Sequence, residues 1–275
     1  MLLYKFREFN ANNLTALANK QLWFSNQSDF NDPFEGAHIK DNSVPQEVLD
    51  VFVCQPKEDI GQEKYTEMLT QMGLKEGEFK NGQLFQKIAE HDLKNLIDVI
   101  HNSKIVCLSL SEPDNDPIYN NLMWSHYADG LRGFCLVFDN DLLQQDIYSS
   151  SNKVMRPIKI QYQSAPNTLN LVDFINSESI LGSEGDDKFV QEVTETIATK
   201  STEWDYENEL RIVSLDKSNF HHYASETLKE VVIGEKMPST QRKLLIDTLK
   251  TTYPDVIIKE AKLQTESYSL EIVTL

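Results

Sequence analysis

The sequence predicts an α+β fold with a central, mostly antiparallel β-sheet, continuous or split, and a helical insertion. Stretches with helical periodicity are grouped early, at about residues 44–103, and most strand-like stretches come later. This grouping lacks the regular alternation of strand and helix that a doubly wound parallel sheet requires. Because no repeat, low-complexity tract or linker-like composition divides the chain, residues 1–275 are predicted to form a single domain that carries the insertion.

The chain is predicted to begin with a strand, a short helix and a second strand. LLYKFREF alternates apolar and polar residues as a half-buried strand does. NNLTALANKQ then predicts a helix, with Asn12 or Asn13 placed to cap its first turn. QLWFS returns to the strand pattern.

Two continuous apolar runs predict the centre of the sheet. Residues 104–111 and 133–139 have apolar residues on both faces, as strands buried on both sides do. The stretch between them, residues 118–130, predicts a short helix ended by Gly130. The last two strands of the chain are predicted to form a hairpin. The other predicted helices are VPQEVLDVF, EKYTEMLTQMG, LFQKIAEHDLKNLIDVIHN, DDKFVQEVTETIATKSTEW and TQRKLLIDTLKTTY, and the other predicted strands are IKIQY, ELRIVSL, LKEVVIG, VIIKEAKL and YSLEIVTL.

Charge, cysteine spacing and hydropathy exclude several classes of protein. The formal net charge of -17 disfavours nonspecific nucleic-acid binding, because polyanions are bound by Lys and Arg, although a local basic pocket remains compatible with a nucleotide. Cys54, Cys107 and Cys135 lack CxxC spacing, so neither a disulfide framework nor a cysteine zinc site is predicted. Since no apolar run reaches membrane-spanning length and the start does not resemble a signal peptide, we expect a cytoplasmic protein without membrane association.

The first strand carries a candidate phosphate-binding patch. Lys5 and Arg7 are two residues apart and therefore project from the same face of a strand, next to Tyr4. Two adjacent cations suit a phosphate group. The alternative is an exposed strand edge whose charges serve solubility.

A loop rich in aromatic residues, FSNQSDFNDPFEG at residues 24–36, is the second candidate. Its NDP sequence predicts a turn, since the residue before proline avoids the helical region and Asn and Asp side chains bond to their own backbone. Phe30 and Phe34 are predicted to bury on either side of that turn. The alternatives are a turn that is merely pinned by aromatic rings and a pocket lined by Asn31, Asp32 and Glu35.

The segment MWSHYADGLRG is the third candidate. Trp124, His126 and Tyr127 together offer flat rings for stacking and an imidazole as hydrogen-bond donor, which suits an aromatic or nucleotide ligand. The alternative for His126 is a hydrogen-bonded structural role.

The segment WDYENELRIV is the fourth candidate. If residues 207–213 are extended, Glu207, Glu209 and Arg211 share one face of a strand. Two carboxylates beside a guanidinium can hold a ribose hydroxyl and stabilise a developing cation, and the alternative is a solvated face with weak ion pairs. Because HExxH, Walker, GxGxxG and GxSxG motifs are all missing from the sequence, neither a metal site nor a common nucleotide-binding loop is predicted.

These fragments, in this order, resemble a large bacterial family known only as a domain of unknown function. The resemblance extends over about residues 2–236. It is carried by LYKFR, by LWFS with FNDPFE, by a CLS strand followed by MWSHYADGLRGFCLVFD, by WDYENELRIV and by LKEVVIG.

A more distant similarity is to ADP-ribosyltransferase-like proteins, including DNA-modifying toxins. Those proteins begin with a strand bearing Tyr and a basic residue, continue with a small helix and a strand ending in Ser, and supply a glutamate from a late strand. The sequence lacks their clean STS motif and a single unambiguous catalytic glutamate. The resemblance implies that the Tyr and the basic residue of the first strand correspond to Tyr4 and Arg7. The Ser that ends the second strand corresponds to Ser25, and the late glutamate to Glu207 or Glu209, with Tyr127 stacking on nicotinamide.

The predicted function is that of an enzyme that uses NAD as substrate, an ADP-ribosyltransferase or an NAD glycohydrolase, and such an enzyme can serve as a toxin or antiphage effector. The alternatives are a noncatalytic module that senses a nucleotide or binds a protein, and a nuclease. The predicted catalytic residues are Glu207, Glu209 and His126. The predicted binding residues are Tyr4, Lys5, Arg7, Ser25, Asn31, Asp32, Glu35, Trp124, Tyr127 and Arg211.

Overall fold

The computed structural model describes residues 1–51, 61–71, 73, 75, 83–150, 155–176 and 198–275. The chain divides into two compact units. Unit 1 consists of Met1–Glu35, Asn102–Ser164 and Lys200–Leu275, and unit 2 consists of Gly36–His101 and Ala165–Thr199. The single domain stays a prediction.

Both helices and strands are assigned along the described residues. The helices are α1 (Ala11–Ala18), α2 (Gln46–Val51), α3 (Gln62–Gln71), α4 (Gln83–His101), α5 (Asn121–Tyr127), α6 (Asn140–Ser150), α7 (Leu171–Asn176) and α8 (Ser239–Thr252). The strands are β1 (Leu2–Arg7), β2 (Gln21–Trp23), β3 (Ser25–Asn26), β4 (Ile39–Asp41), β5 (Lys104–Leu110), β6 (Phe134–Asp139), β7 (Met155–Lys159), β8 (Gln161–Gln163), β9 (Thr168–Asn170), β10 (Thr199–Ser201), β11 (Glu209–Ser214), β12 (Phe220–His222), β13 (Leu228–Gly234), β14 (Ile257–Leu263) and β15 (Leu270–Thr274).

Unit 1 is built on a large sheet whose strands follow the order β15-β14-β13-β6-β1-β5-β11-β7, with β3 added to β5. Within this order β13 and β14 are parallel, and the other neighbouring strands are antiparallel. The prediction of an α+β fold with a mostly antiparallel sheet is therefore confirmed. The final strand pair, β14 and β15, is antiparallel as predicted.

The sheet opens between β1 and β5. β1 pairs with β6 along its whole length, from Leu2 to Arg7, but it pairs with β5 only at Leu3 and Tyr4. Beyond Tyr4 the contact between the two strands is made by the side chain of Lys5, whose Nζ donates to the carbonyl of Cys107 at 2.5 Å. The gap between the two strands is where a pocket can form.

Both faces of the central strands are buried, as the continuous apolar runs predict. On β6, Leu136 and Phe138 face a core that contains Leu143 of α6 and Leu249 of α8. Cys135 and Val137 face the opposite core, which contains Met123 and Trp124 of α5. Burying an apolar side chain of this size contributes about 1.5–3 kcal/mol, so alternate positions of one strand stabilise two layers. The sheet is thus covered on both sides around β1 and β6.

Unit 2 contains the helices predicted between about 44 and 103. α4 places Ala89, Leu93 and Ile97 on one face, four residues apart, against Leu171 and Phe174 of α7. This spacing is that of an amphipathic helix, as the sequence predicts. β4 and β9 form a short parallel pair in the same unit. Over the ranges that the structure describes, no helix combines the length and apolar character needed to cross a membrane.

Several local predictions differ from the structure. α1 is capped by Asn10, whose Oδ1 accepts from the Asn13 amide at 2.8 Å, and not by the side chain of Asn12 or Asn13. The strand predicted at 158–162 is interrupted between β7 and β8. The helix predicted at 186–204 lies outside the described residues up to 197, and its last part is wrong because β10 and a 3₁₀ turn, Thr202–Glu207, stand there.

Gly133 provides a test of how closely β1 and β6 must approach. A Cβ on Gly133 would lie 2.1 Å from the carbonyl oxygen of Arg7 and 2.9 Å from Cα of Ala128, both backbone atoms that cannot move alone. We expect Gly133→Ala to lower the free energy of unfolding by more than about 2 kcal/mol in urea denaturation. The control is Gly130→Ala, whose Cβ would meet only the guanidinium of Arg132, at 3.6 Å. Its positive φ should lower the free energy of unfolding by about 1 kcal/mol. Equal losses in the two variants would contradict the close approach.

Candidate functional site

The candidate site is a cavity of about 200 Å³ in unit 1, at the gap between β1 and β5. Strands β1, β5 and β11, the loop after β3, helix α5 and the 3₁₀ turn before β11 all contribute side chains to it. The predicted site residues that line it are Tyr4, Lys5, Arg7, Ser25, Asn31, Asp32, Tyr127, Glu207 and Glu209.

Two predicted residues of α5 lie elsewhere. Trp124 is 1% exposed, donates from its indole nitrogen to the carbonyl of Ile118 at 2.8 Å and packs edge-on against Phe6, so it is a core residue and not a surface for ligand stacking. His126 is exposed and does not line the cavity, although its ring lies 6.3 Å from that of Tyr127. A catalytic role for His126 has no support in this geometry.

A buried guanidinium lies next to the cavity wall. Arg211 is 2% exposed, and its two terminal nitrogens donate to both oxygens of Glu35 at 2.5 and 2.8 Å. Its Nε donates to Glu209 at 2.7 Å, because residues two apart on β11 share a face. The ring of Phe30 lies 5.3 Å from the guanidinium carbon. Arg211 and Glu35, both predicted to bind ligand, therefore support the cavity from outside its lining.

A second cation holds the two carboxylates that line the cavity. Lys200 Nζ donates to Glu207 at 2.6 Å and to Glu209 at 3.3 Å. The hydroxyl of Tyr127 donates to the other oxygen of Glu207. Each carboxylate is thus fixed from two sides, which is what a buried charge requires.

The backbone brings Glu207 and Glu209 together in a way that the sequence pattern does not. The predicted strand ELRIVSL is confirmed, because β11 begins at Glu209, but the condition that residues 207–213 are all extended is not met, since Glu207 ends the 3₁₀ turn. Asn208 between them is left-handed, with φ of 41°, a conformation that Asn tolerates better than most residues. Its side-chain amide donates to the carbonyl of Leu110 at 2.7 Å and holds the bend.

The surroundings push the pKa values of the two carboxyls in opposite directions. Burial alone would raise the pKa of Glu209, but the charges of Arg211 and Lys200 outweigh it and lower the pKa to about 2. Burial raises the pKa of Glu207, the charge of Lys200 opposes this, and the neighbouring charge of Glu209 adds to it. Glu209 is a fixed anion, whereas Glu207 is the carboxylate more able to accept a proton.

Two further cations, Lys5 and Arg7, line the same cavity. Burial and the nearby Arg7 lower the pKa of Lys5 to about 8, so that much of it stays charged at neutral pH. Burial lowers the pKa of Arg7 to about 10, which leaves it charged. Among the described residues the Arg7 guanidinium has no hydrogen-bond or ion-pair partner. It is therefore free to bind an anion.

The loop of residues 24–36 contributes an unpartnered acceptor. Asp32 is buried, its Oδ1 accepts from the Phe34 amide at 2.9 Å, and its Oδ2 has no hydrogen-bond partner among the described residues. The prediction that both rings bury beside the turn is wrong for Phe34, which is 69% exposed. The turn is held instead by Asp32 and by the ion pair of Glu35, while Phe30 lines the cavity.

Some lining residues were not predicted from the sequence. Lys200 falls in a stretch predicted as helix, and no motif marks it, because its partners are reached only by folding. Its ammonium lies 4.8 Å from the ring of Trp204, which also lines the cavity. Cys107 lines the cavity with a thiol whose pKa is raised by burial and by Glu209, so it is not an activated nucleophile. In the parts of the chain that the structure describes, no group of three or more His, Cys, Asp or Glu is arranged to hold a metal ion.

One part of the chain matches the model of a protein family whose activity is not established. The model of a family described as "Protein of unknown function (DUF2971)" matches residues 123–212, which include Tyr127, Glu207, Glu209 and Arg211. No curated protein and no solved structure matches the chain. The predicted resemblance to a family of unknown function is confirmed for this span, and the remaining motifs and the similarity to ADP-ribosyltransferases stay predictions.

Loss of the Arg211 guanidinium is expected to be strongly destabilising. Arg211→Met leaves the buried carboxylates of Glu35 and Glu209 without their shared cation, so we expect a loss of about 3–5 kcal/mol in chemical denaturation. The control is Lys159→Met, which removes the partner of Glu112 from an exposed ion pair and should cost less than about 1 kcal/mol. Similar losses in both variants would show that the Arg211 pairs are not significant for stability.

The low pKa of Glu209 predicts a specific pH dependence. Because the folded pKa of about 2 lies below the unfolded value of about 4.3, the stabilisation is complete above about pH 4.3 and is lost as the pH falls toward 2. Urea denaturation at several pH values should therefore show Glu209→Gln less stable than the wild type at pH 6, with a difference that shrinks between pH 4.3 and 2. A difference that stays constant over this range would contradict the assignment.

Proposed function

We propose that the protein is an NAD-using enzyme, ADP-ribosyltransferase-like, that breaks the bond between nicotinamide and ribose and passes ADP-ribose to an acceptor or to water. The observation that carries the proposal is the pair Glu207 and Glu209, which line one cavity with pKa values shifted in opposite directions. Such a pair suits a reaction that needs both a fixed anion and a proton acceptor.

The charges of the cavity complement those of NAD. The nicotinamide ring is cationic and the diphosphate is anionic, and the cavity is lined both by the carboxylates of Glu207 and Glu209 and by the cations Lys5 and Arg7. Tyr127 and Phe30 offer ring faces to the nicotinamide. The free oxygen of Asp32 can accept from a ribose hydroxyl or from the carboxamide.

The volume of the cavity suits only part of the dinucleotide. At about 200 Å³ it is smaller than the roughly 300–1,000 Å³ of pockets that enclose a drug-sized ligand. The reacting half, nicotinamide and its ribose, is the part that needs the carboxylates. The adenosine half would then lie outside this cavity.

The chemistry assigned to the two carboxylates is complementary. When the bond between C1′ of the ribose and the ring nitrogen breaks, both bonding electrons leave with nicotinamide, which becomes neutral, and the sugar becomes an oxocarbenium ion. Glu209, held ionised, stabilises this cation by preorganised charge. The nucleophile then bonds to C1′ and loses its proton to Glu207. Tyr127 and Lys200 orient Glu207 through the hydrogen bonds that they donate.

A noncatalytic nucleotide-binding module is the second candidate, and one observation favours it. Both oxygens of Glu207 are already engaged by Tyr127 and Lys200, and Glu209 is engaged by Arg211 and Lys200. Carboxylates saturated in this way can serve to shape a binding cavity. This candidate predicts that NAD raises the melting temperature without being consumed.

Release of nicotinamide from NAD tests the proposal. Purified protein is incubated with NAD, in buffer and with bacterial lysate as a source of acceptors, and nicotinamide is measured by chromatography. We expect Glu209→Gln to slow release by about 100-fold or more, because it removes the charge opposite the forming cation. Glu207→Gln should lower the rate of nicotinamide release. The plot of this rate against pH should also lose the part that comes from ionisation of Glu207, because glutamine cannot accept a proton.

The matched control is Glu266→Gln, which alters an exposed carboxylate outside the cavity lining and should leave the rate unchanged. Thermal unfolding with and without NAD accompanies the assay. A rise in melting temperature without nicotinamide release would support the noncatalytic module. If nicotinamide is not released and NAD does not shift the melting temperature, the proposed use of NAD is overturned.

A further inference from the structure

A second and larger cavity, of about 730 Å³, lies beside the first in unit 1. We call it the α1–β2 groove, because helix α1 and strand β2 supply most of its lining, together with Arg7, Glu8 and Phe220. Of the four candidate motifs in the sequence, the first contributes Arg7 to it.

Two contacts connect the α1–β2 groove to the candidate site. Arg7 lines both cavities. Trp23 lines the groove, and its indole nitrogen donates at 3.1 Å to the hydroxyl of Ser25, which lines the first cavity. Arg7, whose guanidinium has no partner among the described residues, is therefore available to a ligand that occupies both cavities.

The groove presents an exposed aromatic surface. Trp23 and Phe220 are 41% and 43% exposed, and their rings lie 4.8 Å apart at an interplanar angle of 72°. The pairing of β2 with β12 sets these two residues opposite each other, so their positions are fixed by the backbone. Large exposed rings on a rigid strand pair offer a stacking surface to a nucleobase.

The polar lining of the groove is suited to a nucleoside and not to a further phosphate. The side-chain amides of Asn12 and Asn19 have no hydrogen-bond partner among the described residues, and an amide can both donate to and accept from the edge of a base. Glu8 also lines the groove and accepts from Asn10 at 2.7 Å. Its negative charge repels phosphate and favours ribose hydroxyls, which leaves Arg7 as the phosphate-binding residue.

We infer that the α1–β2 groove binds the adenosine half of a dinucleotide, with the diphosphate at Arg7 and the base against Trp23. This assignment rests on the proposed function, which puts the nicotinamide half in the first cavity. The substrate is then a whole dinucleotide, whose adenosine half binds to residues of the groove and whose nicotinamide half binds to residues of the first cavity.

Titration calorimetry with three probes separates the two halves. NAD and ADP contain the adenosine half, whereas nicotinamide mononucleotide contains only the other half. We expect Trp23→Ala to lower the affinity for NAD and for ADP by about tenfold, because stacking of the base on the indole ring is lost. Binding of nicotinamide mononucleotide should be unchanged, which also shows that the variant is folded. Trp23→Phe should restore most of the affinity for NAD and ADP.

Phe220→Ala serves as a second variant at the groove, and Tyr268→Ala, at a ring that is fully exposed elsewhere, serves as the matched control. If nicotinamide mononucleotide binds but NAD binds equally well to the wild type, Trp23→Ala and Phe220→Ala, the groove assignment is overturned and the proposed function stands. If ADP binds through Trp23 while nicotinamide mononucleotide does not bind and NAD is not cleaved, the groove assignment stands and the proposed function fails.

Discussion

The buried guanidinium of Arg211 determines how the loop of residues 24–36 meets strand β11. It holds Glu35 at one end and Glu209 at the other, with Phe30 against its face. Because an unpaired charge at this depth costs several kcal/mol, the burial of Glu35 depends on the guanidinium, and that of Glu209 depends on the guanidinium together with Lys200. The guanidinium in turn depends on the two carboxylates. The loop has no helix or strand between its 3₁₀ turn and Glu35, so this ion pair adds to a few turn hydrogen bonds, such as that from the Glu35 amide to the carbonyl of Asp32, in fixing the loop.

The same network explains why two glutamates two residues apart behave differently. Glu209 contacts Arg211 and Lys200, while Glu207 contacts Lys200 and the neutral hydroxyl of Tyr127. One carboxyl is therefore stabilised as an anion, and the pKa of the other is raised by burial and by its neighbour. The chemistry proposed for the cavity depends on this difference and not on the number of acidic residues. Lys5 and Arg7, which line the same cavity, then supply the positive charge that an anionic ligand requires.

The sequence predicts the sheet better than it predicts the site. Continuous apolar runs identify β5 and β6 because burial on both faces leaves a clear signal. Helical spacing alone cannot show that Trp124 faces the core while Tyr127 faces the cavity, since both positions are compatible with a buried face until the sheet is known. The left-handed Asn208 and the partners of Lys200 leave no periodic signal, so the bend between Glu207 and Glu209 and the cation that they share were found only in the structure.

The central claim is that Glu209 is held ionised by Arg211 and Lys200 at the wall of the cavity. Carbon-13 NMR of the side-chain carboxyls, with the Glu209 signal assigned by its loss in Glu209→Gln, follows this group directly as the pH is lowered. The account predicts that the Glu209 carboxyl stays ionised through pH 4.3 and titrates only near pH 2, while the protein is still folded. A Glu209 signal that titrates with the ordinary glutamate pKa of about 4.3 would contradict it.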